Sequence, residues 1–206
     1  MFDARLQGVI QPVLGPAARW LDARGIRADR ITLAGFVTGA LAVPALAAGA
    51  HGVALALILA NRIADGLDGA VARLQGPSDR GAFLDIALDF AFYGLVVLGF
   101  ALSDPSANAL PAAFLLAAFM GTGSSFLAFA VLAARRGMTS TAFPRKGIYY
   151  LGGLTEGAET IAVFVAMCLW PQAFPFLAML FGTACWITTV MRWRMGWEAF
   201  APRAPQ

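Results

Sequence analysis

The sequence predicts an all-α, polytopic membrane protein: six transmembrane helices preceded by an amphipathic helix lying at the membrane interface. Three observations carry this. The 206-residue chain is 59% hydrophobic and only 13% charged, against about 25% charged for a soluble domain. Apolar runs near 20 residues recur along its length, enough to cross a hydrocarbon core of about 30 Å. Among the connecting segments, Lys and Arg occur in alternate ones only. A closed barrel is the other way to span a bilayer, but these runs are too long and too evenly apolar for barrel strands.

The first 30 residues read as a cytoplasmic segment. Phe2, Leu6, Val9, Ile10, Val13, Ala17, Trp20 and Leu21 recur at helical spacing, so Phe2–Asp22 is expected to be an amphipathic interfacial helix. Pro12 and Pro16 are expected to bend or split it. There is no continuous apolar core behind a basic start, so it is not a signal peptide. Six spans follow within residues 31–190: Ile31–Ala50, Val53–Leu74, Gly81–Leu102, Ala109–Ala134, Tyr149–Trp170 and Phe174–Val190. Gly35 and Gly39 in the first span have the spacing of close helix packing. No linker, repeat or low-complexity tract divides the chain, so residues 1–206 form one domain.

Arg5, Arg19, Arg24, Arg27 and Arg30 precede the first span. Arg73 and Arg80 flank the second loop, and Arg135, Arg136, Arg145 and Lys146 lie around the fourth. Arg192, Arg194 and Arg203 follow the last span, whereas the other three loops carry no Lys or Arg. Both termini and loops two and four are therefore expected in the cytoplasm. The net charge of +3 suits contact with anionic lipid and gives no reason to expect nucleic acid. Cys168 and Cys185 lie in apolar runs without metal-ligand spacing and read as core residues. The one histidine, His51, sits in a short external loop and receives no role.

Spans two and three are unusual because they carry Asp65, Asp68, Asp85 and Asp89. Gly76-Pro77-Ser78 is a turn signal. A hairpin folded there sets Asp65 opposite Asp89 and Asp68 nearly opposite Asp85. The i,i+3 and i,i+4 spacings put each pair on one helix face. At about 1.5 Å per residue, the four meet roughly 10–15 Å in from the turn, on the cytoplasmic side. Four convergent carboxylates cannot all stay ionised without counter-charge. Arg62 and Arg73 offset two charges at most, and bound cations would supply the rest. Oxygen ligands without His or Cys select hard ions, so Mg²⁺ or Mn²⁺, and two carboxylates on each helix could hold two ions. Such pairs clamp phosphoryl groups. Gly66, Gly69 and Gly81 are expected to leave the backbone open to a bulky ligand, and the Arg73 fork suits a diphosphate. A lone intramembrane Asp/Arg pair is often packing glue. Four aspartates at matched depth, interleaved with small residues, mark a functional site.

These residues are similar to the signature of the CDP-alcohol phosphotransferase family (CDP-alcohol phosphatidyltransferase, class I). The chain reads Asp65, two residues, Asp68-Gly69, two residues, Ala72-Arg73, seven residues, Gly81, three residues, Asp85, three residues, Asp89. Every fixed position of the family pattern is present. The six-span layout extends the resemblance over nearly the whole chain. It implies transfer of a phosphatidyl group from a CDP-linked donor, usually CDP-diacylglycerol, to a small alcohol, with release of CMP. It further implies that Asp65, Asp68 and Asp85 bind Mg²⁺ or Mn²⁺. Asp89 would take the proton of the attacking hydroxyl and also touch a metal. Thr32, Asp68, Gly69, Ala72, Arg73, Ser78 and Gly81 would contact the donor. The family's Pro-Asn-x-x-Thr stretch is Ala28-Asp29-Arg30-Ile31-Thr32 here, so Thr32 alone carries over. The resemblance also implies a homodimer in a bacterial inner membrane, with the site facing the cytoplasm.

The acceptor side is open to two readings. Glu156 and Glu159 lie i,i+3 on one face of span five. They could pair with a basic residue, or line an acceptor pocket that favours hydroxyls or an amine. Arg145 and Lys146, with Arg135 and Arg136, could instead recruit a phosphorylated alcohol. Two rival functions also have Asp-rich membrane helices. A membrane prenyltransferase would repeat its acidic motif in a second half. A cation transporter would place its site nearer the midplane, at a repeat interface.

The orientation is directly testable. Ser103→Cys and Arg136→Cys should show opposite accessibility to an impermeant thiol reagent in intact cells. Labelling of both from one side would overturn the alternation.

Overall fold

The structure, a computed structural model, describes the backbone of residues 2–138 and 155–201 and, within these, the side chains from residue 13 onward. Its elements, in chain order, are α1 (Phe2–Ala23), α2 (Ala28–Ala40), α3 (Ala42–Ala47), α4 (His51–Gln75), α5 (Asp79–Ser103), α6 (Pro105–Arg135), α7 (Gly157–Leu169), a 3₁₀ turn (Pro171–Ala173) and α8 (Phe174–Ala199). There is no strand among the described residues. Among the described residues, four stretches are long and apolar enough to cross a membrane: Ala28–Ala47, Asp79–Ser103, Pro105–Arg135 and Pro171–Ala199. α4 has the length, at 25 residues, but its charges set it apart. α7 has 13 residues, or about 20 Å at 1.5 Å per residue, and residues 139–154 ahead of it lie outside those described.

Two elements depart from expectation. The first span is broken at Leu41 into α2 and α3. Pro44 explains the break: it has no N–H to bond the carbonyl one turn back, and its ring crowds that carbonyl. α1, by contrast, runs on through Pro12 and Pro16 as one helix. Its packing on α4 supports it, with Ala18 buried and Leu14 lying over Gly66.

The α4–α5 hairpin is splayed. Its two helices scarcely touch along their length; α2 packs against both and α3 continues the wedge. Glycines permit this close approach. A Cβ on Gly35 would lie 2.7 Å from the Ala64 Cβ, and one on Gly39 would lie 2.8 Å from the Phe92 ring. Without a hydrophobic driving force inside a bilayer, such shape-fitting holds helices together.

Behind the wedge the core is built on aromatic rings. Phe100 stacks on Phe174 with centroids 4.8 Å apart, and Phe119 meets Tyr93, Phe164 and Phe181. Cys168 and Cys185 are buried in this core. α6 and α8 form the most extensive helix pair, with Gly182 receiving the Phe114 ring and Gly121 receiving Thr189 and Trp186. At one end of this pair, Arg136 donates to the carbonyls of Ala199 and Phe200, both at 3.1 Å, which supplies a donor to the last carbonyl of α8. The α5–α6 turn is fixed by Asp104, which accepts from the Ser106 hydroxyl at 2.6 Å and the Ala107 N–H at 3.1 Å. Those two bonds hold its carboxyl below the ordinary carboxylate value.

The glycine seam makes a stability prediction. Gly35→Ala should lower stability by about 1–3 kcal/mol, the usual cost of an overpacked contact. Gly52→Ala, with nothing within 4 Å of a new Cβ, should be neutral or slightly stabilising. Thermal unfolding of the two variants in the same detergent checks the contrast.

Candidate active site

Three helices build one cleft. α4 supplies Asn61, Arg62, Asp65 and Asp68, α5 supplies Asp85, Leu88 and Asp89, and α2 closes it with Thr32, Gly35 and Phe36. The cleft measures about 20 Å³, room for a water-sized species or an ion. Oxygens of Asp65, Asp68 and Asp85 all lie within 4.8 Å of one another. Asp68 is 5% exposed, and its Oδ2 has no hydrogen-bond partner among the described residues. An acceptor left in that state costs about 1–3 kcal/mol, so a cation against it would relieve the cost. Three clustered carboxylates without nitrogen or sulfur ligands fit a hard divalent ion. The residues present therefore fit the metal that the sequence pattern calls for.

The fourth aspartate stands apart. Asp89 Oδ1 accepts from Arg62 Nη1 at 2.6 Å, while Asp65 Oδ2 is 3.9 Å from the same nitrogen. Arg62 is itself held on several sides. Its Nε and Nη2 donate to Asn61 Oδ1 at 2.8 and 2.5 Å, and its guanidinium lies over Phe92 and Tyr93. Asn61 Nδ2 in turn donates to the Gly35 carbonyl at 2.9 Å. Arg62 thus supplies a counter-charge within the cleft. Arg73 does not share that task. It is exposed and lines a separate groove between α1 and α4 with Gly15, Ala18, Arg19, Ala70 and Leu74.

The other expected residues divide clearly. Thr32 lines the cleft, its hydroxyl donating to the Ala28 carbonyl at 3.2 Å. Gly69 is open, with only Arg73 Nη1 near, 3.5 Å from where a Cβ would sit. Ala72 is half-buried on α4. Ser78 is the N-cap of α5, its hydroxyl accepting from the Gly81 N–H at 3.1 Å. A Cβ on Gly81 would meet that hydroxyl and the Asp29 carboxylate, and Asp29 is paired with Arg80. Gly66 is not open to a ligand: a Cβ there would lie 2.9 Å from Leu14, so this glycine seats α1. Glu156 and Glu159 form a reciprocal capping box at the start of α7, with Glu159 Oε2 accepting from the Glu156 N–H at 3.1 Å. Arg145 and Lys146 lie outside the described residues.

Two residues were missed from the sequence. Asn61 precedes Asp65 by four and Asp68 by seven, which is one helical face, so its place was readable. Arg192 was counted as a residue beyond the last span. It is instead 8% exposed within α8, and its Nη1 donates to the Thr122 carbonyl at 3.1 Å.

A sequence model of the CDP-alcohol phosphatidyltransferase family matches residues 26–194. The chain belongs to the CDP-alcohol phosphatidyltransferase family. It is 52% identical over 192 residues to inner membrane protein YnjF of Escherichia coli K12, covering 93% of each chain. It is also 38% identical over 92 residues to archaetidylinositol phosphate synthase of Methanothermobacter thermautotrophicus, covering 44% of this chain and 46% of that one. Its fold is similar to that of Mycobacterium tuberculosis phosphatidylinositol phosphate synthase, PgsA1, solved with CDP-DAG bound. That match has a TM-score of 0.70 and 23% identity, and covers 94% of this chain and 100% of that one. PgsA1 in complex with manganese and citrate matches with a TM-score of 0.69 and 24% identity, covering 93% of each chain. As a CDP-alcohol phosphatidyltransferase, the protein is an integral membrane transferase of substituted phosphate groups, belonging to phospholipid biosynthesis. The aspartate cluster and the manganese-bound relative of the fold together point to use of a divalent metal.

The capping box carries a prediction of its own. Glu159→Ala should cost about 0.5–2 kcal/mol, as the loss of a cap does, and should lower the melting temperature in detergent. Unchanged stability would free the glutamate pair for another role.

Proposed function

We propose that this enzyme transfers the phosphatidyl group of CDP-diacylglycerol to a small alcohol and releases CMP. The observation that carries the proposal is the triangle of Asp65, Asp68 and Asp85 oxygens around the partnerless Asp68 Oδ2, set within the signature Asp65–Asp89. Those three aspartates, together with Asp89, would hold Mg²⁺ or Mn²⁺, as two ions. The metal, when bound, supplies the positive charge that neutralises the diphosphate and the departing CMP. Gly69, the open position on α4, lets the donor lie against the helix. Thr32, Ala72, Arg73, Ser78 and Gly81 hold the nucleotide and diphosphate at the cytoplasmic mouth, the small cleft itself being left to the metal. Asp89 takes the proton of the acceptor hydroxyl. That oxygen then forms a bond to the phosphorus bearing the diacylglycerol, and the bond from this phosphorus to the CMP oxygen breaks. Positioning and charge stabilisation account for most of the rate in such transfers.

Further readings complete this proposal. α4 and the α7 region bring the spans to six, α1 lies on the cytoplasmic face, and both termini face the cytoplasm. Two copies form a homodimer. With Glu156 and Glu159 engaged in a cap, the main objection to a phosphate-bearing acceptor is removed. The exposed Arg135 at the end of α6 and the relative named archaetidylinositol phosphate synthase favour one.

Purified protein given CDP-diacylglycerol and labelled CMP should catalyse exchange that stops with chelator and returns with Mg²⁺ or Mn²⁺. Full exchange without divalent ions would overturn the metal assignment, and no exchange under any metal would overturn the donor. Asp65→Asn should weaken both turnover and Mn²⁺ binding. Asp89→Asn should lower kcat by about 10²–10⁴-fold, the usual worth of a positioned base, with donor affinity largely kept. Screening phosphorylated against plain alcohols in the same assay identifies the acceptor class.

A further inference from the structure

The groove between α1 and α4 is larger than the cleft, at about 160 Å³ against about 20 Å³. Gly15, Ala18 and Ala70 give it a small-residue lining, and Arg19 from α1 and Arg73 from α4 give it two charges. Each arginine stands four residues after a glycine and lies back along its own helix over it. Arg19 Nη1 is 3.5 Å from where a Cβ on Gly15 would sit, and Arg73 Nη1 is 3.5 Å from the same point on Gly69. Backward projection of this kind is the ordinary direction of helical side chains. Neither arginine has an ion-pair partner among the described residues. Arg24, by contrast, lies over the Trp20 ring, and Arg80 pairs with Asp29. Packing fixes α1 in this place: Ala18 is buried and Leu14 lies against Gly66. Gln75, at the end of α4, ties down the far end of α1. Its Nε2 donates to Asp22 Oδ1 at 3.0 Å and to the Ile26 carbonyl at 2.9 Å, and its Oε1 accepts from the Ala28 N–H at 3.3 Å. Two like charges are thereby held in one groove, an arrangement that an anion stabilises. Guanidinium forks match the oxygens of a phosphate.

We infer that Arg19 of α1 is a further donor-binding residue: with Arg73 it grips the phosphate that leaves with CMP. The inference rests on the proposed transfer from a CDP-linked donor. In that transfer the attacked phosphorus belongs with the metal and Asp89 in the cleft. The other phosphate of the donor then falls outside the small cleft. Gly69, the neighbour of Asp68, leads from the cleft to the groove, because Arg73 reaches back over it. As the bond from the attacked phosphorus to the CMP oxygen breaks, its electron pair stays on that oxygen. The leaving phosphate gains a negative charge there, and the two guanidiniums are placed to receive it. Arg19 lies outside the signature Asp65–Asp89, and through it α1 becomes part of the active site.

CMP itself is the probe, titrated with Mn²⁺ present into the full chain in detergent. Arg19→Gln should weaken CMP binding by about 5-fold or more, the scale of a lost charge-assisted contact. Mn²⁺ affinity without nucleotide should stay within about 2-fold, because Arg19 lies outside the cleft. Arg19→Lys should keep part of the CMP affinity, since the charge survives without the fork. Arg24→Gln, on the same helix but stacked on Trp20, should bind CMP like the wild type. Unchanged CMP affinity in Arg19→Gln would overturn the inference. So would a parallel loss of Mn²⁺ affinity, which makes α1 a support of the fold, or an equal loss in Arg24→Gln, which makes it a membrane contact. Should Arg19→Gln not fold, Arg19→Lys carries the comparison with a smaller loss. Phosphatidylglycerol in the same micelles separates a second source of phosphate. If Arg19→Gln loses that lipid and keeps CMP, the groove holds a bilayer lipid and the inference fails. Exchange that proceeds in Arg19→Gln at the wild-type KM for CMP also sinks it, and leaves the transfer reading intact. If the wild type shows no exchange, the transfer reading fails by itself, and CMP binding that depends on Arg19 still assigns the groove to this phosphate.

Discussion

A carboxylate taken out of water carries a penalty of several kcal/mol unless an opposite charge and hydrogen bonds compensate it. The architecture around α4 and α5 answers that constraint. Asp89 is compensated internally, by Arg62. Asp65 lies 3.9 Å from the same guanidinium, and the buried Oδ2 of Asp68 has no hydrogen-bond partner among the described residues. The deficit left by the protein is what a divalent ion would fill. A site that compensated itself fully would have little affinity for metal.

The spacing of the carboxylates depends on α2. Helices packed directly against each other in a hairpin would leave no gap for an ion. Here α2 enters between α4 and α5 and holds them apart at the level of the cleft. It can do so because Gly35 and Gly39 bring its backbone onto Ala64, Asn61 and Phe92. The same use of small residues recurs at Gly99 against Leu46, Gly123 against Phe90 and Gly182 against Phe114. Packing of this kind is rigid, which suits a reaction that depends on positioning. The break at Leu41 lets the chain after α2 turn into α3 and follow α5.

Local hydrogen bonding engages several of the polar residues singled out from the sequence. Ser78 caps α5, and Glu156 and Glu159 cap α7, satisfying N–H groups that every helix leaves open at its start. Side chains of the same chemistry serve ligands and helix ends equally well, and their position along the chain does not tell the two apart until the helix boundary is known. Span five was read from Tyr149, which put both glutamates inside a helix. With α7 starting at Gly157 they stand at its first turn.

What the sequence by itself determined is whatever depends on composition and on spacing within one helix. The helical class, the strongly apolar stretches and the alignment of Asp65 with Asp68 and of Asp85 with Asp89 all follow from period and hydropathy, and the fixed offsets between them carried the family. The tertiary structure decided what depends on contact between helices. Gly66 and Gly69 look alike in sequence, but one seats α1 and the other stays open. Arg62 and Arg73 looked like equivalent counter-charges, but only Arg62 is placed inside the cleft. Asp89 shares the cleft with the other three aspartates, but its pairing with Arg62 at 2.6 Å was not readable from spacing. The physical reason is common to all three. A helix fixes the direction of a side chain relative to its own axis, whereas its partner is fixed by which neighbour that axis is packed against, and here that neighbour is α2, inserted by glycine contacts from a different part of the chain.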